Sequence, residues 1–480
     1  MTVTRFAPSP TGYMHIGNLR TALYSYLIAK HDGGKFILRI EDTDRERLVD
    51  GAVDVIKSTL NVTGLNYDEG PDVGGEHGPY VQSERKEIYM EYAKKLVDMG
   101  AAYYCFCTKE RLEKLHEDDA LGGYDRHCRN LSKEEVEANL KAGIPFVIRQ
   151  KMPTEGVTSY VDSVFGEISM NNSELQDQIL MKADGYPTYN FCHVIDDYLM
   201  GVTHVVRGTE YLTSTPKYVL LYDAFGWERP TYVHLPLLMG RGEDGTVSKL
   251  SKRHGAVSFQ DLVEDGYLPE AILNYIALLG WCPKNSETEF FNLKELEEAF
   301  TIDGVSKSPA VFDFEKLLWF NGEYIHKLDD ASFNEKVAGF VKSEIPASIN
   351  KDKMYSLLKT RISKLSEMDE KMAFFLSLPE YDKELFLNKK NKITDFEIVK
   401  TVLTEAEAVL ECVESFDNDT LFAALIPIAE KLAIKTGTLM WCIRIAVSGL
   451  SATPGGATEI MEVIGKDESL SRIRIALDKL

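Results

Sequence analysis

The opening forty residues restrict the fold more than any other stretch. Residues 3–7 are β-rich, and Pro8-Ser9-Pro10-Thr11-Gly12 makes a rigid turn. Leu19, Ala22, Leu23, Tyr26 and Leu27 then recur at helical spacing until Gly33-Gly34 stops the run. Phe36, Leu38 and Ile40 alternate as a strand leading into Glu41-Asp42-Thr43-Asp44. Strand, helix and strand in such a short span form a βαβ unit, which requires the two strands to run parallel in one sheet.

Strand signals of the same type return only at residues 203–207 and 232–238. Between them lie a Cys-rich stretch, a charged helix near 132–142, and short alternating runs at 146–150, 159–164 and 168–170. A sheet begun early and resumed late predicts one nucleotide-binding fold split by a mixed insertion. After about 255 the pattern turns helical. Residues 270–279 are apolar on most faces and therefore expected to be buried, and 393–412, 420–435, 439–448 and 470–480 keep a helical period. The expected class is α/β followed by all-α, with no internal repeat.

Composition narrows the partners. At 480 residues the chain suggests about three domains. With 54 basic and 75 acidic residues, a net −21, it carries no bulk signal for nucleic acid or anionic membrane, although a local basic groove is compatible with that charge. The N-terminus has no apolar run with a cleavage site, and no apolar stretch is long enough to span a bilayer, so a cytoplasmic protein without membrane contact is expected. Of seven cysteines, Cys192, Cys282, Cys412 and Cys442 stand isolated and read as reduced, buried thiols; Cys105, Cys107 and Cys128 cluster.

Two segments carry chemistry. Pro8-Ser9-Pro10-Thr11-Gly12-Tyr13-Met14-His15-Ile16-Gly17-Asn18 joins a strand to a helix N-terminus, where backbone N–H groups and the helix dipole favour phosphate. Gly12 and Gly17 permit close approach, and His15 offers a donor to phosphate oxygens. Val247-Ser248-Lys249-Leu250-Ser251-Lys252-Arg253-His254-Gly255-Ala256 places three cations within five residues, a pattern able to clamp a triphosphate on flexible stems. Taken singly, the first is also what an ordinary βα connection looks like, and the second a solvated basic loop.

Together, on a split βαβ sheet, they resemble the class I aminoacyl-tRNA synthetases. His15-Ile16-Gly17-Asn18 resembles the HIGH signature with Asn18 for its last His, and Lys249-Leu250-Ser251-Lys252-Arg253 resembles KMSKS with Leu250 for Met and Arg253 for the final Ser. Arg39-Ile40-Glu41-Asp42-Thr43-Asp44, Asp184-Gly185-Tyr186-Pro187-Thr188-Tyr189, Val206-Arg207-Gly208 and Trp319-Phe320-Asn321-Gly322-Glu323-Tyr324-Ile325 match in order and spacing the blocks of the bacterial glutamyl-tRNA synthetase family, over essentially the whole chain. The resemblance implies a Rossmann-type catalytic domain in two halves, 1–104 and 191–255, and an inserted acceptor-end domain at 105–190. A stem-contact region at 256–329 and an all-α anticodon-binding domain at 330–480 would follow.

The implied activity is ATP-dependent ligation of L-glutamate to tRNA-Glu through glutamyl-adenylate, with Mg²⁺ on the phosphates. His15, Lys249 and Lys252 are the expected catalytic residues; Gly12, Gly17, Asn18, Ser251 and Arg253 complete the ATP set. Arg5 and Arg207 would recognise glutamate, since guanidinium forks suit carboxylates. Glu41 would take its ammonium, and Ser9 and Tyr189 its remaining polar groups; His193 occupies a position where relatives carry Asn. Arg39 and Asp44 read as an ion pair supporting the strand end.

Three clustered thiols point to structural Zn²⁺. The resemblance supplies Tyr-x₃-Cys, hence Cys105, Cys107, Tyr124 and Cys128 as ligands, with His127 as a substitute fourth. In the helical part, Arg361, Arg444 and Trp441 are expected to read anticodon bases, Arg361 giving a preference for tRNA-Glu over tRNA-Gln. A monomer is expected. Three related classes fit the sequence less well: a glutaminyl enzyme, whose C-terminal half is a β-barrel; a tRNA-modifying relative, which lacks an anticodon-binding half; and an inactive tRNA-binding relative, which would have lost His15 or Lys252.

Overall fold

The computed structural model describes residues 1–480 except 119–123, 243, 252–253, 256–257 and 285–286. Two compact units form, one from Met1–Leu262 with Ile272–Asp313, the other from Val263–Ala271 with Phe314–Leu480.

The first unit is built on the expected βαβ. Strand β1 (Val3–Phe6) pairs in parallel with β2 (Lys35–Leu38) across the helix Ile16–His31. The ladder continues past the strand ends: Arg39 N–H donates to the Phe6 carbonyl and Glu41 N–H to that of Pro8, both at 3.0 Å. This brings Arg39 and Glu41 beside the Pro-rich turn. Helix Ile16–His31 is buried from Leu19 to Ala29 except at Thr21, which fits a helix lying on a sheet within a large core.

Three strands open the intervening segment: β3 (Ala102–Cys105), β4 (Val147–Gln150) and, as a hairpin strand, β5 (Val157–Asp162). Strands β6 (Gly166–Asn171) and β7 (Ile179–Met181) follow. β3, β4 and β7 make a small antiparallel sheet. The β5–β6 hairpin does not stay within the insertion. β5 joins β9 (Thr231–Leu235) in parallel at Asp162 and Tyr232, extending the main sheet. β8 (His204–Gly208) pairs in parallel with β9 and lies beside β1, where Thr203 N–H donates to the Val3 carbonyl at 2.9 Å.

The run expected as one strand at 232–238 is two. Pro236, with no N–H to donate, separates β9 from β10 (Leu238–Arg241). β10 pairs with β11 (Val247–Lys249) and with β12 (Ala310–Phe312). In the second unit, helices Phe396–Cys412, Asn418–Lys431, Thr436–Ser448, Ala457–Ile464 and Lys466–Lys479 enclose one apolar core. Arg472, fully buried, donates to the carbonyls of Phe374, Phe375 and Val447 and locks three segments of this unit together.

Two expectations need correction. Cys192 and Cys442 are buried, but Cys282 and Cys412 are exposed; Cys412 is the last residue of its helix, where side chains meet solvent. Arg39 and Asp44 do not pair with each other. Arg39 is fully buried and turns to Glu41, Asp196 and Asp197, while Asp44 faces Arg47 at 4.0 Å on the surface. A desolvated guanidinium needs desolvated carboxylates, and Asp44 is exposed.

Candidate active site

A cleft of about 390 Å³ opens at the carboxyl ends of β1, β2 and β8. This is where open α/β sheets bind ligands. All five residues expected to hold glutamate line it: Arg5, Ser9, Glu41, Tyr189 and Arg207. Asn18 from the helix N-terminus also lines it, as does Asp44.

Arg5 and Arg207 are each only 4% exposed, and neither is left to find its own orientation. Arg5 Nε donates to Asp197 Oδ1 at 3.0 Å, and its Nη1 to the Val206 carbonyl at 3.3 Å. Arg207 Nε faces His234 Nε2 at 3.2 Å, and its Nη2 donates to Thr215 Oγ1 at 2.8 Å. The guanidinium also sits over the rings of Tyr218 and Tyr211, at 4.8 and 5.2 Å. Helix Tyr189–Leu199 supplies one wall. Its positions 189, 193, 196 and 197 share a face at helical spacing.

Glu41 carries the unusual electrostatics. Burial pushes its carboxyl up to about 7, against the pull of Arg39 and Arg5. Arg39 Nη2 donates to Glu41 Oε1 at 3.1 Å. Asp197 goes the other way: although burial opposes it, Arg5 and Arg39 hold its carboxyl well below the usual carboxylate range. His193 is neutral, pulled down to about 3 by burial and the Arg207 charge. Its Nδ1 meets the Tyr189 carbonyl at 2.7 Å, and its Nε2 lies 3.5 Å from Arg207 Nη1.

The residues expected to bind phosphate fall on two segments, the turn before the helix Ile16–His31 and the basic loop from β11. His15 is the N-cap of the helix Ile16–His31, and its Nδ1 accepts the Gly17 N–H at 3.0 Å. Gly12 has φ 128°, a backbone that only glycine adopts readily. A Cβ at Gly17 would lie 3.3 Å from His15 Nδ1. His15, Gly12 and Gly17 sit on the turn beside the cleft and are not among its lining residues. Lys249 is exposed on β11, and the Ser251 N–H donates to His254 Nδ1 at 3.1 Å. Lys252 and Arg253 lie outside the described residues. The chain after that loop returns to the helix N-terminus: Ser258 bridges His15, and Phe259 N–H donates to the Met14 carbonyl at 2.9 Å. Residues 258 and 259, past the basic loop, thus lie against the first signature segment.

Sequence reasoning missed the acids and amides behind the cleft. Asp196 is fully buried and accepts from Arg85 Nε at 2.7 Å, Tyr89 at 2.8 Å and Gln82 Nε2 at 2.9 Å. The signal was present. Two consecutive aspartates following Phe191, Cys192, Val194 and Ile195 in the helix Tyr189–Leu199 point to buried cations elsewhere in the chain.

In the inserted segment the sulfurs of Cys105, Cys107 and Cys128 lie within 4.8 Å of one another, the last two 3.6 Å apart. Tyr124 Oη is 3.2 Å from Cys105 Sγ and 3.9 Å from Cys107 Sγ. Thiolates on one tetrahedral zinc sit about 3.8 Å apart, given Zn–S bonds near 2.3 Å, so the set fits that ion with little movement. His127 is exposed and takes no place in the cluster. In the second unit Arg361 is exposed, with Nε 3.4 Å from the Pro454 carbonyl, and Arg444 is half-buried. Trp441 is already engaged, donating its indole N–H to the Phe386 carbonyl at 3.0 Å.

Comparison with known proteins resolves the family. Residues 1–319 match the catalytic domain of the class I tRNA synthetases (E and Q), and residues 315–477 match an anticodon binding domain. The chain belongs to the class I tRNA synthetases of the E and Q branch. It is 55% identical to a glutamate–tRNA ligase of Clostridium tetani, over 99% of this chain and 97% of that one. It is 54% identical to one of Clostridium kluyveri, over 99% and 98%. A solved glutamate tRNA ligase of Elizabethkingia meningosepticum, described in complex with its amino acid, superposes with a TM-score of 0.91 at 35% identity, covering 100% of this chain and 99% of that one. The helical second unit agrees with the family's glutamyl side rather than with a β-barrel. Among the described residues no helix is long and apolar enough to cross a membrane.

Proposed function

We propose that this chain charges tRNA-Glu with L-glutamate, using ATP, by way of glutamyl-adenylate. The observation that carries the reading is the cleft itself: two buried guanidiniums, Arg5 and Arg207, face one buried carboxyl, Glu41, beside a helix N-terminus. Two cations and one anion complement an amino acid with two carboxylates and an ammonium.

In the first step the glutamate α-carboxylate attacks the α-phosphorus of ATP. A carboxyl–phosphate bond forms, the bond to the β-phosphate breaks, and pyrophosphate leaves. In the second, a ribose hydroxyl of the terminal tRNA adenosine attacks the acyl carbonyl and AMP departs. No protein nucleophile is required; the chain's residues position substrates and stabilise charge. Arg5 and Arg207 hold the carboxylates, Glu41 the ammonium, and Ser9 and Tyr189 the remaining polar contacts. His15, Asn18 and the turn glycines attend the phosphates from the helix side; Lys249, Ser251, Lys252 and Arg253 attend them from the loop. Mg²⁺, brought with ATP, would add to that charge stabilisation.

The inserted part, residues 105–190, holds the acceptor end, with the two halves 1–104 and 191–255 around it. Residues 256–329 contact the stem and 330–480 bind the anticodon loop, Arg361 and Arg444 facing bases. Cys105, Cys107, Tyr124 and Cys128 would hold a zinc ion, whose part would be to cross-link the loop after β3 rather than to supply chemistry, because four protein ligands leave no open position. The enzyme works as a cytoplasmic monomer.

The test is pyrophosphate exchange dependent on glutamate, ATP and tRNA. Lys252→Ala and His15→Ala are expected to slow it by about 10²–10³-fold, the usual cost of one lost charge-stabilising contact. Wild-type exchange in both variants, or exchange with glutamine in place of glutamate, would overturn the reading.

A further inference from the structure

Behind Arg207 stands a polar chain that the reaction does not explain. Asp162, on β5, is 1% exposed and all its acceptor positions are used. Oδ1 accepts the N–H groups of Val164 and Phe165, at 2.9 and 2.8 Å, at the turn of the β5–β6 hairpin. Oδ2 accepts from His234 twice, from its backbone N–H at 3.1 Å and from Nδ1 at 2.6 Å. His234 is fully buried on β9. A carboxylate at 2.6 Å requires the proton to sit on Nδ1, so Nε2 keeps its lone pair. That lone pair is what Arg207 Nε meets at 3.2 Å. Burial holds the imidazole below its ordinary value against the pull of Asp162, so the ring stays neutral beside the guanidinium. Thr215 closes the arrangement: its hydroxyl donates to the Tyr211 carbonyl at 2.7 Å, which leaves its oxygen to accept Arg207 Nη2.

We propose that Asp162 and His234 are positioning residues for amino-acid recognition: Asp162 fixes the His234 tautomer, and His234 anchors Nε of Arg207 so that the rest of the fork faces the cleft. Asp162 lies in the hairpin contributed by the inserted segment, so that segment helps to set the amino-acid site. With the opposite tautomer, an N–H would point at an N–H, and the arginine would turn away from His234.

The inference rests on Arg207 binding glutamate, and the experiment separates the two. Glutamate-dependent pyrophosphate exchange, with tRNA present, is measured on the full chain for Asp162→Asn, His234→Leu, His234→Gln and Arg207→Lys. Misplacing a positioned group by about 1 Å costs up to ~10²-fold. Asp162→Asn and His234→Leu are therefore expected to raise KM for glutamate by about ten- to a hundredfold, with KM for ATP and the maximal rate little changed. His234→Gln, whose amide oxygen can accept from Nε, is expected to recover most of the loss. An unchanged KM for glutamate in both first variants, or an equal rise for glutamate and ATP, overturns the proposal. Unchanged glutamate KM in Arg207→Lys overturns the reading of the site instead. Should Asp162→Asn and His234→Leu not fold, the ¹⁵N shifts of His234 in histidine-labelled wild-type protein decide: the Nδ1–H tautomer is expected, and the Nε2–H tautomer refutes the relay.

Discussion

Asp197 Oδ1 binds Arg5 and Arg39 at once, at 3.0 and 2.8 Å, so a single buried oxygen ties the first strand of the sheet to the end of the second. Arg5 reaches across 192 residues of sequence to make that bond. Its place at the cleft is therefore a tertiary property, held from behind by a helix.

Replacing Asp197 with Asn should destabilise the first unit by about 3–5 kcal/mol, because two buried guanidiniums lose their shared counter-charge. The sign with pH follows from the direction of its shift. The folded carboxyl is held below the ordinary value, so its contribution is fully present above the unfolded pKa, near 4, and fades as pH falls through the folded one. Urea unfolding between pH 3 and 7 should show a steady gap between wild type and variant down to about pH 4 and a narrowing one below it. A constant gap across that range would contradict this.

Glu41 predicts a pH dependence of binding. Its carboxyl, raised by burial to about 7, is partly protonated at neutral pH, and only the carboxylate attracts an ammonium. Glutamate affinity should fall as pH drops below about 7, and binding near pH 7 should release a proton. Calorimetry in buffers of differing ionisation enthalpy reads that proton. Glu41→Gln should weaken binding and abolish the release.

The thiol cluster predicts about one zinc per chain by elemental analysis of protein purified without chelator, with Tyr124 as fourth ligand. Cys107→Ser should lose the metal, and Tyr124→Phe should let a chelator remove it faster. His127→Ala should leave retention unchanged, since that side chain is exposed. Stoichiometry far below one would refute the site.

Arg361, exposed near Pro454, predicts selectivity between tRNAs. The wild-type enzyme should charge tRNA-Glu over tRNA-Gln, and Arg361→Gln should relax the preference by about 1–3 kcal/mol, the scale of one base-edge contact. Equal charging by the wild type would refute discrimination; an unchanged ratio in the variant would refute the role of Arg361.

Much of the molecule follows from local pattern. The βαβ opening, the helix with Ser132 as its N-cap, the alternating runs of the insertion and the C-terminal helices all appear near their expected positions, because period and capping act over a few residues. Arg5 and Arg207 could be placed at strand ends in the same way, whereas Ser9, Glu41 and Tyr189 were legible only through the family resemblance. Pro236 could have been read in the same way as a break between strands.

Three things belong to the tertiary structure alone. The β5–β6 hairpin leaves the insertion to join the main sheet at Tyr232, a pairing no local period encodes. Arg39 chooses buried Asp197 over nearby, exposed Asp44, because a guanidinium stripped of water is stable only beside carboxylates equally stripped. His234 becomes an acceptor for Arg207 only because Asp162, 72 residues away, lies against its other nitrogen. Sequence by itself determined which residue types stand at the strand ends and turns. Tertiary structure decided their charge, tautomer and direction, because those depend on partners brought close only when the sheet closes and water is excluded.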